Sequence, residues 1–193
     1  MTPTNGILFY EKGDEIAVTQ SSSGSVHVYT GDGKGKTTAA FGLAMRASGR
    51  GLSVLIIQFM TGRSDCGENI SAKHLPNVKV EQYGDENLVC LDKITERDRE
   101  MARKAFKRAE KVVKTSEVDL LILDEANVAI HFGLITVKDL LDMIDSKPAK
   151  MDIVITGRYA KPEIIAKAEY VTEMLAKKHP YDTGKKARPG IEY

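Results

Sequence analysis

Short, unbroken apolar runs alternate along the chain with segments whose apolar residues recur every three or four positions. The unbroken runs are typical of strands buried on both faces of a parallel sheet, and the spaced residues are typical of helices packed on it. We predict strands at 26–29, 54–59, 78–83, 118–123, 153–156 and 170–174, and helices at 39–46, 95–112, 136–144 and 162–168. The alternation indicates an α/β three-layer domain with a mostly parallel central sheet.

The N-terminal part of the chain does not follow this alternation. Residues 1–24 contain two short strand-like runs, at 6–10 and 15–18, and end in a serine-rich stretch. We expect 1–24 to form an arm or flap, since serine-rich stretches make flexible joints. Residues 25–193 are expected to form one domain, because a chain of that length can bury a substantial core.

Three connections are polar and contain glycine, namely 60–69, 84–91 and the tail 177–193. We predict loops in all three, the tail being an ordered one. The first two follow predicted strands directly. In open parallel sheets the carboxyl ends of the strands carry the ligand sites, so these loops are candidates for binding.

A glycine-rich loop joins the first predicted strand to the first predicted helix. From Thr30 to Thr38 it has the sequence T-G-D-G-K-G-K-T-T. Glycines let several backbone N–H groups point at one anion, and the helix N-terminus adds roughly half a positive charge. Lys36 adds a full charge, and the Thr37 hydroxyl suits Mg²⁺. The candidate phosphate-binding residues are Gly31, Asp32, Gly33, Lys34, Gly35, Lys36, Thr37 and Thr38.

This loop is one residue shorter than the usual P-loop. Three residues separate Gly31 from Gly35, and Thr30 stands where the first glycine of the motif would be. The alternative is a glycine turn that merely precedes a helix. Lys36 and Thr37 occupy the positions that phosphate chemistry requires, which favours a P-loop NTPase-like domain.

Two further strands end in charged residues that could complete a nucleotide site. Asp124 and Glu125 follow an apolar run, where a carboxylate could hold Mg²⁺ that bridges phosphates. Arg158 follows another such run and could pair with phosphate. The alternatives are two solvated acids and a surface ion pair. No Asn-Lys-x-Asp motif for guanine is present, so ATP is the expected nucleotide.

Composition excludes several other classes of function. Lys and Arg number 28 against 27 Asp and Glu, which gives no electrostatic reason to expect nucleic acid or a membrane surface as partner. Cys66 and Cys90 are too few for a disulfide framework and are expected to be ordinary small apolar side chains. The four histidines lack metal-ligand or triad spacing. Without an apolar run of about 18 residues or an export signal, we expect a cytoplasmic protein.

These residues predict an Mg·ATP-binding domain but leave kinase, hydrolase and transferase activities open. The chain also resembles the ATP:corrinoid (cob(I)alamin) adenosyltransferases. The resemblance covers about residues 25–193. Its most specific parts are the short P-loop with the following Ala39-Ala40-Phe41-Gly42, and the ending Gly190-Ile191-Glu192-Tyr193. Weaker matches are Gln58-Phe59, Gly62, Gly67-Glu68, Leu123-Asp124-Glu125, Thr156-Gly157-Arg158, Val171-Thr172-Glu173-Met174 and Lys178-His179-Pro180-Tyr181.

The resemblance implies that a Co(I) corrinoid attacks the 5′ carbon of ATP and that triphosphate leaves. Lys36 and Arg158 would then act on the triphosphate as catalytic residues, while Thr37 and Glu125, with Asp124, would hold Mg²⁺. It further implies a P-loop that holds ATP in a reversed sense, an electron donor for Co(II) and a homodimer. A P-loop kinase or ATPase that yields ADP, or an ATP-sensing module without turnover, are the alternatives.

The chain departs from this family after the third predicted strand. Well-known members carry a Phe and a Trp there, which press on the lower face of the corrin, whereas this chain has no tryptophan. Either Tyr83 or Leu88 takes that role, or the corrinoid is held differently. Tyr83 is therefore a candidate corrinoid-binding residue.

Overall fold

The computed structural model describes residues 23–85, 91–179, 184 and 186–193. The strands are β1 (Val26–Thr30), β2 (Val54–Phe59), β3 (Val78–Tyr83), β4 (Leu120–Asp124), β5 (Asp152–Thr156) and β6 (Tyr170–Glu173). The helices are α1 (Lys36–Ser48), α2 (Gly67–Ala72), α3 (Glu96–Thr115), α4 (Ala126–His131), α5 (Val137–Asp145) and α6 (Pro162–Lys167), with one 3₁₀ turn at Leu91–Lys93. The predicted N-terminal arm and its two strands lie outside the described residues, apart from its last two residues.

The six strands form one sheet in the order β3-β2-β4-β5-β1-β6. Every described strand pair is parallel, which confirms the predicted sheet. All strands therefore end at the same edge of the sheet. The loop after β1, the acids at the end of β4 and the arginine after β5 meet along that edge, as parallel topology requires.

Two apolar layers cover the sheet and make the fold three-layered. Alternate strand residues such as Ile56 and Ile122 pack against α1 and the end of α2 on one face. The other set, including Ile57 and Leu123, packs against α3, α4, α5 and α6 on the opposite face. Central strands β2 and β4 are buried at every position, which explains their unbroken apolar sequences.

Capping residues set the starts of two predicted helices. Thr95 and Asp98 form a reciprocal capping box at the start of α3. The Thr136 hydroxyl accepts a hydrogen bond from the Asp139 N–H at 3.0 Å, at the start of α5. Both helices begin where the sequence predicted them.

Two local predictions were wrong, and one helix was missed. Helix α1 begins at Lys36, three residues before the predicted start, because its first turn carries the polar end of the P-loop. The predicted loop at 60–69 gives way to helix α2 from Gly67. Helix α4, directly after the acidic pair, was not predicted. Helices α2 and α4 each have six residues, too few to show helical periodicity.

Within the part of the chain that the structure covers, no helix is both long and apolar enough to cross a bilayer.

Candidate nucleotide-binding site

A cavity of about 610 Å³ opens at the carboxyl edge of the sheet. Its volume is typical of small-molecule sites, which span roughly 300–1,000 Å³. It lies between the P-loop, the start of α2, two strand ends and the C-terminal segment. The lining residues are Asp32, Gly33, Lys34, Gly35, Lys36, Thr37, Thr38, Phe41, Gly67, Glu68, Ser71, Glu125, Arg158, His179, Gly190, Ile191, Glu192 and Tyr193.

The end of β6 holds the glycine loop in place. The Gly33 N–H donates to the Met174 carbonyl at 2.6 Å. A Cβ at Gly33 would lie 2.6 Å from that carbonyl oxygen, and one at Gly31 would lie 2.5 Å from it. Gly31 also has a φ of +92°, which other residues rarely adopt. Both glycines are therefore required by the close approach of Met174.

Lys36 lies inside the loop. Its side chain crosses the turn, and its ammonium donates to the carbonyls of Gly31 at 2.7 Å and Gly33 at 2.8 Å. Burial lowers the pKa of this ammonium, and the nearby Glu125 carboxylate partly offsets the effect. These two contacts use two of the three donors of the ammonium and hold its charge close to the backbone amides of the loop.

Asp124 is the centre of a buried hydrogen-bond network. Its Oδ1 accepts from the hydroxyls of Thr37 at 3.0 Å and Thr156 at 2.7 Å. Its Oδ2 accepts from Nε2 of Gln58 at 3.0 Å. Burial raises the pKa of Asp124, although these hydrogen bonds favour the carboxylate. The network joins the P-loop threonine to the carboxylate at the end of β4.

Glu125 turns the chain out of β4 toward the cavity. It adopts a left-handed conformation with φ of +62°, and its N–H donates to the Thr156 hydroxyl at 3.0 Å. Burial, and next the charge of Asp124, raise the pKa of Glu125 to about 7. Lys36 and Arg158 act in the opposite direction but do not cancel the effect. The Glu125 carboxyl group thus lines the cavity, and that of Asp124 is buried beside it.

Thr37, Asp124 and Glu125 together offer the oxygen ligands that Mg²⁺ prefers. Mg²⁺ sites in nucleotide-binding proteins use few protein ligands, since phosphates and water supply the others. The residues present therefore fit Mg²⁺ accompanied by a nucleotide.

Arg158 lies at the other side of the loop. Its Nη2 donates to the Asp32 carbonyl at 3.3 Å, and its Nε lies 3.8 Å from the Asp32 carboxylate. The side chain is half exposed and lines the cavity. The structure therefore brings Arg158 beside the P-loop, where it can pair with phosphate.

Tyr83 is not brought to this cavity. It ends β3, at the far edge of the sheet from β1, and its hydroxyl donates to Glu81 at 3.0 Å. Its ring packs against the core on the α3 side. Leu88, the other candidate for the corrin face, lies outside the described residues. The corrinoid-binding role of Tyr83 stays a prediction.

Several site residues were quoted in sequence motifs without a role. Gln58 and Thr156 position Asp124, Met174 holds the P-loop, and Tyr193 closes the cavity. The register of the sheet explains the contact between Gln58 and Asp124, since the two residues are direct partners on β2 and β4. A polar residue inside an otherwise apolar strand was the available signal for Gln58.

Comparison with known proteins gives a consistent result. The family model described as ATP:corrinoid adenosyltransferase BtuR/CobO/CobP matches residues 22–193. A corrinoid adenosyltransferase of Pseudomonas aeruginosa is 34% identical over 180 residues, which cover 93% of this chain and 89% of that protein. The corrinoid adenosyltransferase of Escherichia coli K12 is 33% identical over 179 residues, or 92% and 90% of the two chains. The relative from Salmonella typhimurium is 31% identical with the same coverage.

Proposed function

Because the chain belongs to the ATP:corrinoid adenosyltransferase family, we propose that it transfers the 5′-deoxyadenosyl group of Mg·ATP to the cobalt of a Co(I) corrinoid. The electron pair of Co(I) forms a cobalt–carbon bond to the 5′ carbon. The carbon–oxygen bond at that carbon breaks, and triphosphate leaves with the electron pair of the carbon–oxygen bond. The observation that carries the proposal is the P-loop cavity, which is lined by Lys36, Thr37 and Arg158.

The protein needs no nucleophile of its own for this reaction, because the reduced cobalt is the nucleophile. Its tasks are to hold the 5′ carbon in line and to stabilise charge on the leaving triphosphate. The N–H groups of the Gly31–Thr38 loop, the ammonium of Lys36 and the guanidinium of Arg158 suit the second task. Lys36 needs little reorganisation to stabilise charge on the triphosphate, since its ammonium already lies inside the loop.

We propose that Thr37, Asp124 and Glu125 hold Mg²⁺ directly or through water. The ion would neutralise part of the triphosphate charge as it leaves. Burial raises the pKa of Glu125, and repulsion from Asp124 raises it further; binding of the ion would relieve that repulsion. The hydrogen bond from Thr37 to Asp124 would keep both groups in position for it.

The proposal includes partners that the fold does not reveal. The substrate is Co(I), so an electron donor must reduce Co(II) before transfer. We also propose that the chain forms a homodimer, which sedimentation velocity of the full chain would test.

One incubation tests the reaction. Chemically reduced cobalamin and Mg·ATP are added to the protein, and the products are followed by the absorbance of the cobalt–carbon bond and by chromatography of phosphates. We expect adenosylated corrinoid and free triphosphate in equal amounts. ADP would indicate a kinase or ATPase instead, and bound ATP without any product would indicate a binding module.

A further inference from the structure

The last six residues form a closed turn, which we call the C-terminal strap (Arg188–Tyr193). The N–H groups of Ile191 and Glu192 donate to the Arg188 carbonyl, and the Gly190 N–H donates to the Tyr193 carbonyl at 2.7 Å. The Glu192 carboxylate folds back onto the Arg188 guanidinium and N–H. The strap is therefore a defined structure held by its own hydrogen bonds.

Two basic side chains attach the strap to opposite sides of the cavity. On the P-loop side, the Lys34 ammonium donates to the Ile191 carbonyl at 2.7 Å and lies 3.5 Å from Glu192. On the other side, the Arg63 guanidinium lies 4.4 Å from the ring centre of Tyr193. Asp65 fixes that guanidinium through two hydrogen bonds. The strap thus spans the cavity from the P-loop to the loop after β2.

The two lysines of the P-loop consequently have different surroundings. Lys36 is buried, and its ammonium contacts only loop carbonyls among the described residues. Lys34 is half exposed, and its ammonium contacts the strap. The Lys34 ammonium already donates a hydrogen bond to the carbonyl of Ile191, which lies 157 positions away in the chain.

We propose that the C-terminal strap is a wall of the ATP site, and that Lys34 is a positioning residue that holds this wall rather than a ligand of the phosphates. The proposal rests on the proposed function, because it takes the cavity to be the ATP site. The proposal follows from the position of Lys34: this P-loop residue donates to the strap, and so joins the strap to the loop proposed to bind the triphosphate. Holding the strap in place before ATP arrives reduces the ordering that binding would otherwise require.

A double-mutant cycle separates the two roles of Lys34. Lys34→Met is made in the full chain and in a chain that ends at Pro189, and the dissociation constant of Mg·ATP is measured by calorimetry. We expect truncation to weaken binding about tenfold and Lys34→Met to weaken it about fivefold in the full chain. In the truncated chain, Lys34→Met should change affinity less than twofold, because the group it holds is absent.

Lys36→Ala serves as the matched control in the same two chains. It should weaken binding by the same factor in both, since its role does not pass through the strap. Lys34→Arg should restore most of the affinity in the full chain, and thermal unfolding without nucleotide should be unchanged for both Lys34 variants. If the truncated chain unfolds, a chain that ends at Gly190 replaces it, since it also lacks the Ile191 carbonyl and the Glu192 carboxylate.

An equal loss from Lys34→Met in full and truncated chains would make Lys34 a direct phosphate ligand and overturn the proposal. Unchanged affinity after truncation would also overturn it, since the strap would then not bound the site. In both cases the full chain still binds Mg·ATP, so the proposed function survives. Failure of the full chain to bind Mg·ATP at all would remove the proposed function and this proposal together.

Discussion

The raised pKa of Glu125 predicts that the nucleotide-free protein loses stability as pH rises. This carboxyl group has a pKa of about 7 in the folded protein against 4.5 for the free side chain. The folded state therefore binds more protons than the unfolded state between these values, and stability falls with pH across that window. Ionisation of Glu125 lowers the free energy of unfolding by about 3 kcal/mol in full, and about 2.5 kcal/mol of this loss occurs between pH 5 and pH 8.

Glu125→Gln isolates this contribution, because the amide has nearly the same shape and does not ionise. Urea unfolding of both proteins at pH 5 and pH 8, without nucleotide or Mg²⁺, gives the free energies of unfolding. We expect the variant to be more stable than the parent at pH 8 by about 3 kcal/mol, and by less than about 1 kcal/mol at pH 5. Glu163→Gln, at an exposed position on α6, is the control and should show no such difference.

The reasoning would be refuted by a Glu125→Gln variant with the same pH dependence as the parent. That result would mean that the side chain is ionised in the folded protein at little cost, through water or a closer contact with Lys36 than the structure shows. A stability gain at both pH values alike would instead point to packing.

Three further substitutions test the loop and its ligands. Lys36→Ala should weaken Mg·ATP binding by about 1.5–3 kcal/mol through loss of a charged contact, whereas Lys107→Ala on the exposed side of α3 should not; calorimetry that finds equal affinities would remove Lys36 from its role. Thr37→Val should weaken binding by about 1 kcal/mol in calorimetric titrations with Mg²⁺ but change it little without the ion, and Thr37→Ser should restore it; an equal loss without Mg²⁺ would exclude the metal role. Gly33→Ala should lower the free energy of unfolding by about 1–3 kcal/mol, because its Cβ would overlap the Met174 carbonyl, while Gly42→Ala, with open space around it, should be neutral or stabilising in the same urea assay.

The sequence predicted those parts of the fold in which one local pattern decides the outcome. Strands β2 and β4 are buried on both faces, so their apolar runs were unambiguous. The capping residues Thr95 and Thr136 set helix starts through contacts only three residues away. Short helices α2 and α4 were missed because six residues cannot display a period of 3.6.

The site was predictable as a set of strand ends but not as a set of partners. The positions of Lys36, Asp124, Glu125 and Arg158 after apolar runs placed them at one edge, since parallel strands share that edge. The contact of Lys34 with Ile191 joins residues 157 positions apart, and no periodicity signals it. Such contacts depend on how the tail returns to the sheet, which a single sequence does not state.

The charges around the cavity also indicate why ATP and Mg²⁺ should bind together rather than one after the other. Lys36 and Arg158 line the cavity and would attract a triphosphate. The Glu125 carboxyl group lines the same cavity, with Asp124 buried beside it, and their charge would repel the triphosphate. Mg²⁺ alone would meet the carboxylates but also the two cations. Only the pair of ligands satisfies both sets of charges, so each should raise the affinity of the other. If the proposed function holds, the acids would do more than hold an ion: they would make the site favour Mg·ATP over free ATP.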